Sequence, residues 1–139
     1  NFRAKVGDDG PVADIAAVVK ELQSAGKVGT VGYCWGGTLS FLAATRIEGV
    51  SGSVVYYGGQ IVTYKDETAK APLQMHFGDM DAGIPMEDVD QIKAAQPQAD
   101  VHVYHADHGF NCDHRSQYDE ESCKLARERS LAFFAQNVG

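Results

Sequence analysis

Residues 27–37 read KVGTVGYCWGG, and this stretch decides the fold. Its first half is short and rich in β-branched residues, which predicts a strand, and it runs straight into Cys34, Trp35, Gly36 and Gly37. Residues 38–47 then read as a helix of small and apolar side chains. Gly32, Cys34 and Gly36 have the form G-x-C-x-G at this strand-to-helix turn, the frame of the G-x-S-x-G nucleophile elbow with a thiol in place of the hydroxyl. An elbow nucleophile sits in a strained conformation on a tight turn, so glycines on either side are expected to let strand and helix approach without colliding side chains. There the sulfur would stand at a helix N-terminus, where the dipole favours thiolate and the backbone N–H of Trp35 can donate to an oxyanion. An arbitrary cysteine beside a glycine turn is more often a small buried hydrophobe. The rest of the chain has to decide between the two.

Outward from the elbow, strand and helix alternate. Upstream, Asp8, Asp9, Gly10 and Pro11 form a helix-start signal, and Val12, Ile15, Ala16, Val18, Val19 and Leu22 recur at helical spacing up to about Gly26. Downstream, residues 50–57 and 72–77 are apolar β-formers closed by glycine, 85–95 have helical periodicity, 101–104 form another short strand, and 119–137 a long terminal helix. Only residues 58–71 look like a linker. Connections too long for hairpins predict an α/β fold, a mostly parallel sheet flanked by helices on both faces, with sites at the carboxyl ends of the strands. About four strands make a thin sheet for this architecture.

If Cys34 is a nucleophile, an acid and then a histidine should follow, each on a loop after a later strand. After residue 77 come Asp79 and Asp81, two candidate carboxylates, and after residue 104 come His105 and His108, two candidate imidazoles. Loops at one edge of a parallel sheet can gather such a set, with the base reaching the sulfur while the acid holds its other nitrogen.

GYCWGG, FGDMDAGIP and YHADHGFN, in this order, resemble the nucleophile, acid and histidine motifs of the dienelactone hydrolase family, and the similarity extends to RERSLAFF near the C-terminus. The resemblance implies an α/β-hydrolase fold, a three-layer α/β/α arrangement, and hydrolysis of a small lactone or ester through a thioester on Cys34. On it the family's aspartate falls on Asp81 and its histidine on His108, leaving Asp79 and His105 as neighbours. It implies no metal and no cofactor. Family enzymes also use first strands, a second oxyanion donor, a glutamate and an arginine that precede the nucleophile. Residues 1–139 are therefore expected to be the C-terminal part of one such domain, with N-terminal strands missing; if no second segment completes the fold, an unpaired sheet edge makes dimerisation a hazard. A homodimer is accordingly an expected assembly. A dienelactone-specialised member has an arginine where this sequence has Cys112; Arg115 is a candidate substitute anion binder, and Tyr57 a candidate substrate contact.

Composition narrows the remaining options. Lys and Arg number 12 against 19 Asp and Glu, a net charge of −7 with no basic block, so nucleic acid is not an expected partner. No apolar run approaches the roughly 20 residues of a bilayer span. An odd number of cysteines, Cys34, Cys112 and Cys123, suits reduced thiols and a cytoplasmic location. His105, His108, Cys112 and His114 are zinc-type ligands close in sequence, but no second cluster completes a structural zinc pattern. His76 and His102 fall within strand-like runs and read as packed residues.

Overall fold

The computed structural model describes residues 2–139. The runs predicted as strands form β1 (Val28–Tyr33), β2 (Val50–Tyr56), β3 (Leu73–Gly78) and β4 (Asp100–Tyr104). They make one parallel sheet in the order β1-β2-β3-β4. Parallel strands covered on both faces are buried on both, and in β2 and β3 Val54, Val55, Met75 and Phe77 are fully buried while the polar Ser53, Gln74 and His76 are buried with hydrogen-bond partners. β1 is an edge strand, with Val31 and Tyr33 exposed.

Helices α1 (Phe2–Val6), α2 (Asp9–Leu22), α3 (Trp35–Arg46), α4 (Ile61–Tyr64), α5 (Met86–Ala95) and α6 (Glu120–Asn137) complete the fold, with one 3-10 turn, Gln23–Ala25. α3 packs on β1 and β2, with α2 against its outer side; α6 packs on β2 and β3. The two helices take opposite faces of the sheet. The Thr30 hydroxyl bonds both Ser40 of α3 and Ser53 of β2, whereas Gly29 and Gly52, one residue away along their strands, face Phe134 and Phe133 of α6. The layers are therefore α/β/α. Phe41 and Leu42 of α3, both fully buried, each contribute about 1.5–3 kcal/mol of burial free energy.

On the α6 face, Tyr33, Tyr56, His76 and His102 occupy matching register positions on the four strands and stack as a ladder, with neighbouring ring centroids 4.7, 4.7 and 5.5 Å apart. His76 is fully buried, bonded to Tyr104 at 2.8 Å and to Gln74 at 3.0 Å. Its place in the ladder agrees with the reading of His76 and His102 as packed residues.

Several boundaries differ from the expectations. α3 starts at Trp35, three residues earlier than periodicity suggested, because the helix begins immediately after the elbow. Strand β2 stops at Tyr56, and Tyr57 has a positive φ of 36° that ends the extended run. Residues 58–71 are not simply a linker: they contain α4, whose Ile61 is fully buried. Pro85 precedes α5 instead of opening it, and Asp119 caps α6 by accepting from the Ser122 N–H at 2.8 Å.

Candidate active site

Cys34 joins β1 to α3 with φ 54° and ψ −122°, in the left-handed region that side chains rarely adopt. Its N–H continues the ladder to the Tyr56 carbonyl at 3.1 Å, and its carbonyl accepts from Gly37 and Thr38 at 3.0 and 3.3 Å. The chain thus passes from sheet to helix at one strained residue. Two glycines make this approach possible. A Cβ on Gly32 would overlap the Gly36 carbonyl, and one on Gly37 would overlap the Tyr56 carbonyl. Gly36 faces open space, which corrects the expectation that both glycines flanking the cysteine are sterically required. Trp35 opens α3, and the amides of a first helical turn point out of the helix, so its N–H has the place expected of an oxyanion donor.

The loops after β3 and β4 sort their four candidates into two pairs. His108 Nδ1 lies 2.7 Å from Asp81 Oδ2, and Asp81 Oδ1 accepts the Gly83 N–H at 2.9 Å, so the buried carboxylate is held from both sides. A carboxylate accepts, so the proton on this pair sits on Nδ1 and leaves Nε2 free to act as a base. Asp79 pairs with His105 at 3.1 Å on the exposed surface. No hydrogen bond joins His108 to Cys34 among the described residues.

A cleft of about 370 Å³ is lined by Cys34, Tyr33, Tyr57, Cys112 and Arg115, among others. Arg115 reaches it because Gly109, at φ 81°, has no side chain; a Cβ there would meet the arginine stem at 2.9 Å. Tyr57 is more deeply set than a half-buried strand end: it is 1% exposed, and its ring lies 4.9 Å from His108 and 5.3 Å from Phe110. Tyr56 points to Ser130 of α6, and Tyr64 to Asp8, so neither joins the cleft.

The electrostatics differ from the sequence expectation of a primed thiolate. Burial pushes the Cys34 thiol above its ordinary value; the Arg115 charge opposes this, while Asp81 and Cys112 reinforce it. Burial is the largest of these influences, so the net shift is upward, away from the thiolate. Burial likewise raises the Tyr57 phenol, with Cys34 and other groups in the cleft adding to it, so that phenol stays protonated.

The Trp35 indole turns to Asp8, donating from Nε1 to Oδ1 at 2.8 Å. Sequence reasoning took Asp8 only as a helix-start signal and missed this contact, which joins residues 27 positions apart. No local pattern announces such a pair. The four zinc-type ligands do not converge: His105 and His108 are taken by their aspartates, His114 lies 3.6 Å from Asp113, and no cluster able to hold an ion occurs among the described residues.

The model of a protein family described as "Dienelactone hydrolase family" matches residues 3–138. The carboxymethylenebutenolidase of Pseudomonas putida is 36% identical over 89% of this chain and 56% of its own length. A "Putative carboxymethylenebutenolidase" of Salmonella typhimurium is 30% identical over 98% of this chain and 57% of its own length. The crystal structure of a "Putative Dienelactone Hydrolase" from Klebsiella pneumoniae superposes with a TM-score of 0.88 at 31% identity, covering 96% of this chain and 63% of that one. The Pyrococcus furiosus esterase Pf2001, at 15% identity and a TM-score of 0.76, shares the fold. The chain spans little more than half the length of the curated relatives it matches. With a family model covering almost every residue and an α/β-hydrolase sheet beneath it, this chain belongs to the dienelactone hydrolase family.

Proposed function

We propose that this protein hydrolyses a small lactone or carboxylic ester through a Cys34–His108–Asp81 triad and a thioester intermediate. The observation that carries the reading is the His108–Asp81 hydrogen bond of 2.7 Å, made by loops at the same strand ends as the Cys34 elbow. Nε2 of His108 takes the thiol proton as Sγ attacks the acyl carbon, then returns it to the leaving oxygen; the same nitrogen draws a proton from water, which attacks the thioester and frees the acid and the thiol. Asp81 keeps the imidazole in the required tautomer and stabilises its cation. The Trp35 N–H donates to the tetrahedral oxyanion. Arg115 in the cleft wall favours a substrate carrying a carboxylate, with Tyr57 as the floor against which the acyl group rests. The chemistry calls for no cofactor. A thiol nucleophile works only when reduced, which fits a cytoplasmic location.

One observation favours a second reading. Without a thiol–imidazole hydrogen bond and with the thiol shifted away from the thiolate, the chain could serve as a hydrolase-like binding scaffold. Catalytic hydrogen bonds often tighten only when substrate binds, which supports the enzyme reading in spite of this. Hydrolysis of a dienelactone and of p-nitrophenyl acetate by the purified chain, with Cys34→Ala as control, separates the two. Turnover lost in the variant supports the hydrolase; no turnover by the parent on either substrate supports the scaffold.

A further inference from the structure

We infer that Asp8 is a positioning residue for the oxyanion donor, acting through the indole of Trp35; the inference rests on the hydrolase reading above. Asp8 sits at the N-cap of α2, yet its side chain makes no capping bond. Its carboxylate, on a residue only 8% exposed, accepts from Tyr64 Oη at 2.6 Å, Trp35 Nε1 at 2.8 Å and Arg3 Nη2 at 3.2 Å. Burial raises its pKa, but the bonds from Tyr64 and Trp35 together with Arg3 outweigh that and hold it below the ordinary carboxylate range. It therefore stays an anion, and a charged acceptor makes the stronger bonds.

The consequence lies one residue from the sulfur. The N–H that would meet the oxyanion belongs to the peptide between Cys34 and Trp35, and its direction is set by Cys34 ψ and Trp35 φ. Cys34 is in a strained region that persists only where its surroundings over-determine it. A tether from the Trp35 side chain to an aspartate on a different helix supplies such a constraint. Tyr64, bonded to the same carboxylate, is braced by Arg46, whose guanidinium lies 5.2 Å over its ring and bonds Glu67 at 2.6 Å. Helices α2, α3 and α4 thus meet at Asp8.

The test compares Asp8→Ala, Asp8→Asn, Trp35→Phe and the double variant Asp8→Ala/Trp35→Phe in p-nitrophenyl acetate hydrolysis, with Cys34 acylation followed by mass spectrometry. Trp35 is the sole tryptophan, so its emission reports the tether directly. Loss of a whole oxyanion donor costs about 100- to 1,000-fold in kcat, and loss of its tether is expected to cost about tenfold with KM nearly unchanged. Trp35→Phe should match Asp8→Ala, the double variant should be no worse than either, and Asp8→Asn should recover most of the rate and the parent emission. Kcat at the parent level in Asp8→Ala and Trp35→Phe, whatever the fall in melting temperature, overturns the positioning role, as does additivity in the double variant. Should Asp8→Ala not fold by circular dichroism, Trp35→Phe decides alone on the same criterion. A parent chain that is never acylated at Cys34 overturns the hydrolase reading, and with it this one; an active parent with unaffected variants overturns only this one.

Discussion

His108 turns Nδ1 onto Asp81, 2.7 Å away, and makes no hydrogen bond to Cys34, so of the proposed triad the aspartate and histidine are paired and the histidine and cysteine are not. The nearby Asp79–His105 pair has similar geometry but is exposed. Since only Asp81 can orient His108, Asp81→Asn should lower kcat by roughly three to four orders of magnitude, by offering an amide where the imidazole needs an acceptor. Asp79→Asn should stay within about threefold of the parent, as expected for an exposed pair. Steady-state kinetics on an activated ester check the ranking, and the reverse order would mean that the other carboxylate is the acid.

The upward shift of the Cys34 thiol can be read from alkylation. The rate of iodoacetamide labelling at Cys34 should rise with an inflection above the ordinary thiol range, because burial disfavours the thiolate. Arg115 is the cation that favours the thiolate, so Arg115→Met should move the inflection further up and slow labelling at neutral pH. An unchanged or lower inflection in the variant would contradict the placement of Arg115 at the sulfur.

The two glycines after the nucleophile should respond oppositely to a methyl group. Gly37→Ala drives a Cβ into the Tyr56 carbonyl and is expected to destabilise the chain by about 1–3 kcal/mol. Gly36→Ala meets open space in a helix and should be neutral or stabilising by about 0.5 kcal/mol. Urea denaturation of both variants measures the difference.

Buried His76 makes stability sensitive to acid. Burial, with smaller contributions from His102 and Arg129 and against Asp100, depresses its pKa from 6.5 to about 3. Below pH 6.5 the unfolded chain binds a proton that the folded chain refuses until about pH 3, so the contribution is fully present above pH 6.5 and is lost as pH falls through that window. The slope is about 1.4 kcal/mol per pH unit from this group. Denaturation at pH 7 and pH 5 should show the loss, and His76→Gln should flatten it; equal slopes in parent and variant would show that His76 is not the group responsible.

The α/β class, the placing of the strands along the chain and the elbow were legible in the sequence because each rests on local or short-range rules: β-branched runs, helical periodicity, and glycines around a cysteine. Asp81 and His108 were separated from Asp79 and His105 only by resemblance to a family, since spacing alone allows either member of each pair. α4 escaped notice because four residues, Ile61–Tyr64, carry too little periodicity to stand out in a polar stretch. Tyr57 was read as the end of an extended run, and its turn to a positive φ of 36° just past β2 carries no mark in the residue pattern.

By itself, then, the sequence determined a parallel sheet flanked by helices and a cysteine poised between strand and helix, since those follow from side-chain pattern along neighbouring residues. The tertiary structure alone decided that the Trp35 indole finds Asp8, that Gly37 is required where Gly36 is not, and that burial pushes the Cys34 thiol up. Each of these depends on distance and desolvation between segments far apart in the chain, and neither quantity is encoded in local spacing.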